Sequence, residues 1–247
     1  TCYAGSSPTY GRHRTLEEVR AMLDAVVASE GEPDIVQISG GEPTIHPQFF
    51  DILDYAKTLP IRHIMINTNG IRIADDKGFA ERLNDYMPGI EIYLQFDSFK
   101  PHVLTKLRGK DLSAKRQKAL EKLEKFNIHS TLVVTLERGQ NDDEIGKIID
   151  FALEYRCLRG VTFQPTQVAG RTDNFDPLKN KFTLTETRQE ILDQTDIFKE
   201  NDIVPVPCNP DALAMAYALK LDGKVVPLTS MIDPDIFLNG TRNTILL

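Results

Sequence analysis

Five short runs of β-branched and apolar residues, spaced so that a helix fits between each and the next, limit this chain to a few architectures. They read DIVQISG at 34–40, HIMINTNG at 63–70, EIYLQFD at 91–97, HSTLVVTL at 129–136 and GVTFQP at 160–165. The intervening segments have helical periodicity. Thr15 and Glu18 make a capping-box pattern ahead of Leu16, Val19, Leu23, Val26 and Val27 on one face. Pro47 is expected in the first turn of the next helix, which turns Phe49, Phe50, Leu53 and Ala56 inward. Further helices are expected over 76–87 and 112–126, and Asn141, with Glu144 after it, is expected to cap another. Strands separated by helices imply right-handed βαβ units and a mainly parallel sheet. A doubly wound sheet and a barrel or partial barrel both satisfy this pattern.

After about residue 170 the rhythm changes to a polar, loop-like stretch, a helix near 183–199, PVPCNP, a short helix near 211–220, and KVVPL. Residues 1–170 read as the core and 171–247 as an extension packed on it. A net charge of −7 supplies no basic footprint for a phosphate backbone, so nucleic acid is not expected as the main partner. No apolar run reaches membrane-spanning length and the first residues have no signal-peptide core, so a cytoplasmic location is expected. The three cysteines, Cys2, Cys157 and Cys208, cannot all pair within the chain, which favours reduced thiols or metal ligands.

In parallel α/β folds, sites form beyond the carboxyl ends of the strands. Here those ends are Ser39-Gly40-Gly41-Glu42-Pro43-Thr44, Asn67-Thr68-Asn69-Gly70, Gln95-Phe96-Asp97-Ser98, Glu137-Arg138-Gly139 and Gln164-Pro165. Each has an ordinary explanation: a tight turn at Gly40-Gly41, a left-handed turn at Asn67–Gly70, a helix cap at Asp97. Five at one edge point to a shared small-molecule site.

Thr1-Cys2-Tyr3-Ala4, SGGEPT at 39–44, NTNG at 67–70 and QFDS at 95–98 together resemble the radical S-adenosylmethionine superfamily. The resemblance implies a partial (β/α)6 barrel in which the five runs are strands two to six. It implies a 4Fe–4S cluster held by a C-x3-C-x2-C loop, with Cys2 as the last of its cysteines. The first strand and the other two cysteines are then expected upstream of Thr1. A single thiolate does not hold a cubane cluster, so the 247 residues alone are expected to be inactive. Residues 131–171, with Arg138, Gly139, Asn141 and Asp142, then Phe163, Gln164, Pro165, Gly170 and Arg171, are similar to the branch of archaeal tetraether-lipid synthase and folate-linked radical methylases.

What the resemblance implies for chemistry is reductive cleavage of S-adenosylmethionine to a deoxyadenosyl radical that activates a C–H bond, possible outcomes being alkylation or methylation of a lipid or small molecule. A reductant such as flavodoxin or ferredoxin is the implied partner. Gly40, Gly41, Glu42 and Pro43 are expected to receive the methionine ammonium, and Arg138 its carboxylate, since a guanidinium fork suits two oxygens. The alternative for Arg138 is an ion pair with Asp142 or Asp143. Asn67, Asn69, Gln95 and Asp97 are candidates for the ribose, Gln164 for the cofactor at the last strand, and Tyr3 for the adenine or for packing on the cluster loop. Cys208 is either a ligand of an auxiliary centre or a buried thiol; Cys157 reads as core. A peptide-modifying radical maturase and a cluster-free binding barrel are the alternative functions.

Overall fold

A computed structural model describes residues 12–167, 176–206, 209, 211–221 and 223–240, without the side chains of 237, 238 and 240. Helix α1 (Leu16–Glu30) begins at the capping box, with Thr15 Oγ1 accepting from Glu18 N at 3.2 Å and Glu18 Oε2 from Thr15 N at 2.8 Å. Strand β1 (Ile35–Ile38), a single 3-10 turn (Pro43–Ile45) and α2 (Phe49–Ala56) follow. Pro47 lies ahead of α2 rather than in its first turn; the N-cap is Gln48. Next come β2 (His63–Thr68), α3 (Ile71–Asp75), α4 (Phe79–Asn84) and β3 (Ile90–Gln95). The helix expected over 76–87 is the shorter α4, with Gly78 at its N-cap and Gly78 N donating to the Asp76 carboxylate at 3.0 Å, and α3 ahead of it had no counterpart in the expected pattern.

Helix α5 (Pro101–Arg108) had no counterpart in the sequence reading, although it carries Pro in its first turn and Gly109 at φ +80° just past its end. It is followed by α6 (Ser113–Phe126), β4 (Ser130–Leu136), a 3-10 turn (Asp142–Glu144), α7 (Ile145–Glu154) and β5 (Leu158–Pro165). The five strands are all parallel and lie in the order β1-β2-β3-β4-β5. That order decides between the two architectures. With right-handed crossovers, strands added always on the same side put every helix on one face, whereas a doubly wound sheet must reverse direction. The result is a partial barrel.

The strands are two-faced. Ile64, Ile66, Ile90, Ile92, Leu94, Leu132, Val134 and Leu136 are fully buried against Phe49, Leu53, Ile73, Leu83, Leu120, Leu123 and Ile148. The alternate residues, aligned by register, include Gln37, Met65, Asn67, Glu91, Tyr93, Gln95, Thr131, Val133, Thr135, Thr162 and Gln164. The inner face of the barrel is therefore mainly polar, with Met65 and Val133 as apolar members.

Beyond β5, α8 (Pro177–Asn180) and α9 (Leu184–Gln194) lead to strands β6 (Val204–Pro205) and β7 (Ala214–Met215), the hairpin β8 (Ala218–Leu221) and β9 (Lys224–Pro227), and α10 (Pro234–Gly240). The helix expected near 211–220 is thus strand. The Asp-Gly between the runs ALKL and KVVP is a hairpin signal, and Gly223 takes φ +78° there. Helix α9 packs on α7 where Gly146 offers no side chain, and Gln194 Oε1 accepts from Gly146 N at 3.0 Å. Phe182, just ahead of α9, is 2 % exposed within the main core. Among the described residues no helix is long and apolar enough to cross a membrane.

Candidate functional site

The loop leaving β1 runs through Gly40, at φ +149°, which strongly favours glycine. Among the described residues, a Cβ at Gly40 or Gly41 would meet nothing within 4 Å, so they leave this stretch of backbone open on that side. Glu42 follows at the N-cap of the 3-10 turn. Its Oε1 accepts from Thr44 N at 3.1 Å, Thr44 Oγ1 at 2.5 Å and Thr68 Oγ1 at 2.7 Å; Oε2 accepts from Asn69 N at 2.7 Å. Glu42 thus ties the end of β1 to the end of β2. A carboxylate has about four acceptor directions, and the capacity that remains lies on Oε2.

At the end of β2, Asn69 is a turn residue: its Oδ1 accepts from Ile71 N at 2.9 Å at the start of α3. Asn67 is half-buried on the inner face, next in register to Tyr93. Burial raises the Tyr93 phenol above the ordinary value, with Thr162 and Gln164 acting against it. Lower on the same face, Glu91 accepts from His63 Nε2 at 3.1 Å and from Thr131 Oγ1. Burial opposes ionisation of Glu91, but those bonds hold its carboxyl below the ordinary value.

The end of β3 carries the densest arrangement. Asp97 is fully buried, at φ +65°. Its Oδ2 accepts from Arg108 Nε at 2.8 Å and Arg116 Nη2 at 2.9 Å, and its Oδ1 from Arg108 Nη2 at 2.7 Å and Thr135 N at 3.2 Å. Burial opposes its charge, yet Arg108 and then Arg116 keep its pKa below the ordinary value. Asp97 is committed to protein donors, which removes it from direct contact with a ribose. Gln95, with its carbonyl turned to the guanidinium, lies 2.9 Å from both Nη atoms of Arg108. Arg108 also donates to Thr135 Oγ1 at 2.8 Å. Because Gln95 and Thr135 belong to the inner face, Arg108 places a cation at its rim.

Asn141 stands at the N-cap of the 3-10 turn that leads into α7, but its side chain makes no capping bond. It is fully buried, and its amide donates to Asp97 O and Thr135 O, both at 2.8 Å, while Glu137 N donates to its Oδ1 at 3.1 Å. It locks the Asp97 turn to the end of β4. Arg138 points elsewhere: it pairs with Glu186, donates to Lys181 O at 3.0 Å and lies 5.6 Å from the Phe182 ring centre. An ion pair with Asp142 or Asp143 was the alternative expected for Arg138; the partner is Glu186, whose carboxyl falls to about 2 through Arg138 first and Thr183 next.

Sequence reasoning missed Arg108 and Arg116, since only the fold brings α5 and α6 onto the end of β3. Cys2, Tyr3, Gly170, Arg171 and Cys208 lie outside the described residues. Cys157 is buried beside Glu124, and burial pushes its thiol up to about 12, as a core residue requires. Among the described residues no group of His, Cys, Asp and Glu is placed to hold a metal ion. The Gly40–Gly41 cradle, the spare acceptor on Glu42, the cation of Arg108 and the amides of Asn67 and Gln164 do fit a zwitterionic nucleoside.

The family profile described as the Radical SAM superfamily matches residues 1–152. The chain is 29% identical over 259 residues to 7,8-dihydro-6-hydroxymethylpterin dimethyltransferase of Methanocaldococcus jannaschii, covering 94% of this chain and 50% of that protein. It is 26% identical to GTP 3',8-cyclase of Actinobacillus succinogenes, over 62% of this chain and 46% of the cyclase. The chain spans about half the length of these curated relatives. The structure of Streptococcus suis SuiB bound to precursor peptide SuiA superimposes with a TM-score of 0.60 at 19% identity, covering 79% of this chain and 42% of SuiB. That likeness is one of fold.

Proposed function

The chain belongs to the radical SAM superfamily, whose members are enzymes that use S-adenosylmethionine and a 4Fe–4S cluster, and from this premise we propose that it is the radical core of a methylase or alkylase acting on a small, polar, flat heterocycle. When bound, the pair of cofactors supplies one-electron cleavage of the sulfonium and a carbon radical that abstracts hydrogen from an unactivated C–H bond. Cys2 would be one cluster ligand, with the remaining cysteines of its loop upstream. A flavodoxin- or ferredoxin-like reductant completes this reading.

The residues divide the cosubstrate between them. Gly40, Gly41 and Oε2 of Glu42 receive the ammonium group. Arg108 replaces Arg138 as the ligand for the carboxylate, because Arg138 is committed to Glu186 whereas Arg108 faces the rim. Asn67, Gln95 and Gln164 address the nucleoside.

The observation that carries the choice of substrate class is the mainly polar inner face, where Gln37, Glu91, Tyr93, Thr131, Thr162 and Gln164 outnumber the apolar Met65 and Val133. Such a face solvates an amide-rich ring and leaves a lipid chain unfavourably placed. The pterin methyltransferase relative, aligned across 94% of this chain, agrees with that class. The test is anaerobic reconstitution with iron and sulfide of a protein that includes the upstream cysteines, followed by reductant, S-adenosylmethionine and 7,8-dihydro-6-hydroxymethylpterin. Deoxyadenosine and methionine are expected from one S-adenosylmethionine, together with methylated pterin and S-adenosylhomocysteine from a second that gives up its methyl group, the reductant supplying both electrons. Deoxyadenosine with unmodified pterin overturns the substrate class, and no deoxyadenosine from a cluster-loaded sample overturns the radical reading.

A further inference from the structure

Arg116 is 3 % exposed, and its only acceptor among the described residues is Asp97 Oδ2 at 2.9 Å; Nε and Nη1 have none. Burying a guanidinium on one acceptor is unfavourable, and an apolar residue would serve packing of α6 on the sheet better. The arrangement therefore calls for a reason connected with charge. Asp97 and Arg108 alone would form a neutral pair, leaving Arg108 little attraction for a further anion. With Arg116 present, one carboxylate faces two guanidinium groups and the cluster carries a net positive charge. The geometry agrees. Asp97 is held by Thr135 N, and by Asn141 through its carbonyl, so it is a fixed anvil against which Arg108 lies in a two-point contact. Nη1 of Arg108 is left with Gln95 alone, on the inner rim.

We infer that Arg116 is a positioning residue for S-adenosylmethionine: by neutralising Asp97 it leaves Arg108 oriented and charged for the methionine carboxylate. This rests on the reading of Arg108 given above. The residue itself touches no part of the cosubstrate; it acts through Asp97.

The test compares affinities of the full-length, cluster-loaded protein for S-adenosylhomocysteine, which keeps the amino-acid end, and 5′-methylthioadenosine, which lacks it. Calorimetry gives the ratio of the two Kd values. Arg108→Met should shrink that ratio about tenfold, equivalent to about 1.4 kcal/mol. Arg116→Gln should shrink it by a similar factor with methylthioadenosine affinity unchanged, and Arg116→Lys, which keeps the charge, should restore most of it. A purely structural role for Arg116 would weaken both ligands together. If Arg108→Met shrinks the ratio and Arg116→Gln does not, the inference fails while the Arg108 reading stands. If Arg108→Met leaves the ratio intact, the Arg108 reading fails first. Should Arg116→Gln not fold, the wild-type protein labelled with 15N-arginine decides: the Nε–H signals of Arg108 and Arg116 should both move with S-adenosylhomocysteine and stay with methylthioadenosine. An Arg116 signal that stays still while Arg108 moves overturns the inference.

Discussion

At the scale of single residues, the site rests on two carboxylates: Asp97, which the protein itself saturates, and Glu42, which keeps acceptor capacity on Oε2. Glu42 ties β1 to β2 through Thr68 and Asn69, so Glu42→Ala should both lower the melting temperature and abolish the stabilisation that a nucleoside ligand confers. S-adenosylhomocysteine at about 100 times its Kd should raise the stability of the wild-type protein by about 2.7 kcal/mol, measured by thermal shift. A variant that melts lower yet keeps the full shift would remove Glu42 from the binding site. Asp97→Asn leaves two buried guanidinium groups without their counter-charge and should destabilise the fold by about 3–5 kcal/mol in urea titrations. Glu186 offers a check on pH. Its folded pKa of about 2 lies below the ordinary 4.5, so the contribution is complete above 4.5 and fades as pH falls towards 2. The difference in urea midpoint between wild type and Glu186→Gln should be present above pH 4.5 and vanish near pH 2, and it should be small because the pair is exposed.

At the scale of elements, α9 approaches the barrel most closely at Gly146 of α7. A Cβ on Gly146 would lie 2.3 Å from Gln194 O, so the backbone of α9 would have to move. Gly146→Ala should cost about 1–3 kcal/mol and loosen α9, read out as faster hydrogen exchange in both α7 and α9. Unchanged exchange in α9 would show that the two helices are held by other contacts. The same contact brings Glu186 within reach of Arg138, which is how an element outside the barrel withdraws a strand-end arginine from the rim. Elements also explain where the sequence misled. The capping box at Thr15 and Glu18 is local chemistry and was legible; so were the five strands, as short runs of β-branched and apolar residues. The hairpin β8–β9 was passed over because ALKL reads equally as helix until the Asp-Gly turn is taken into account.

At the scale of the molecule, five parallel strands in sequential order place all helices outside and a mainly polar face inside, with the variable chemistry at one rim. The alternation of apolar and polar residues in β3 already implies both faces, since successive side chains point opposite ways, whereas Met65 in β2 and Val133 in β4 interrupt it. The sequence by itself determined the βα rhythm, the glycine-rich loop after β1 with Glu42 in it, and the gathering of amides at the strand ends, because these depend on neighbours a few residues apart. Only the tertiary structure decided how the charges pair. Asp97 meets Arg108 and Arg116 across 11 and 19 residues, Glu42 meets Thr68 across 26, and Arg138 meets Glu186 across 48. A long cationic side chain on a helix can reach several carboxylates, and which one it reaches is set by sheet register and helix placement, quantities that no local pattern encodes.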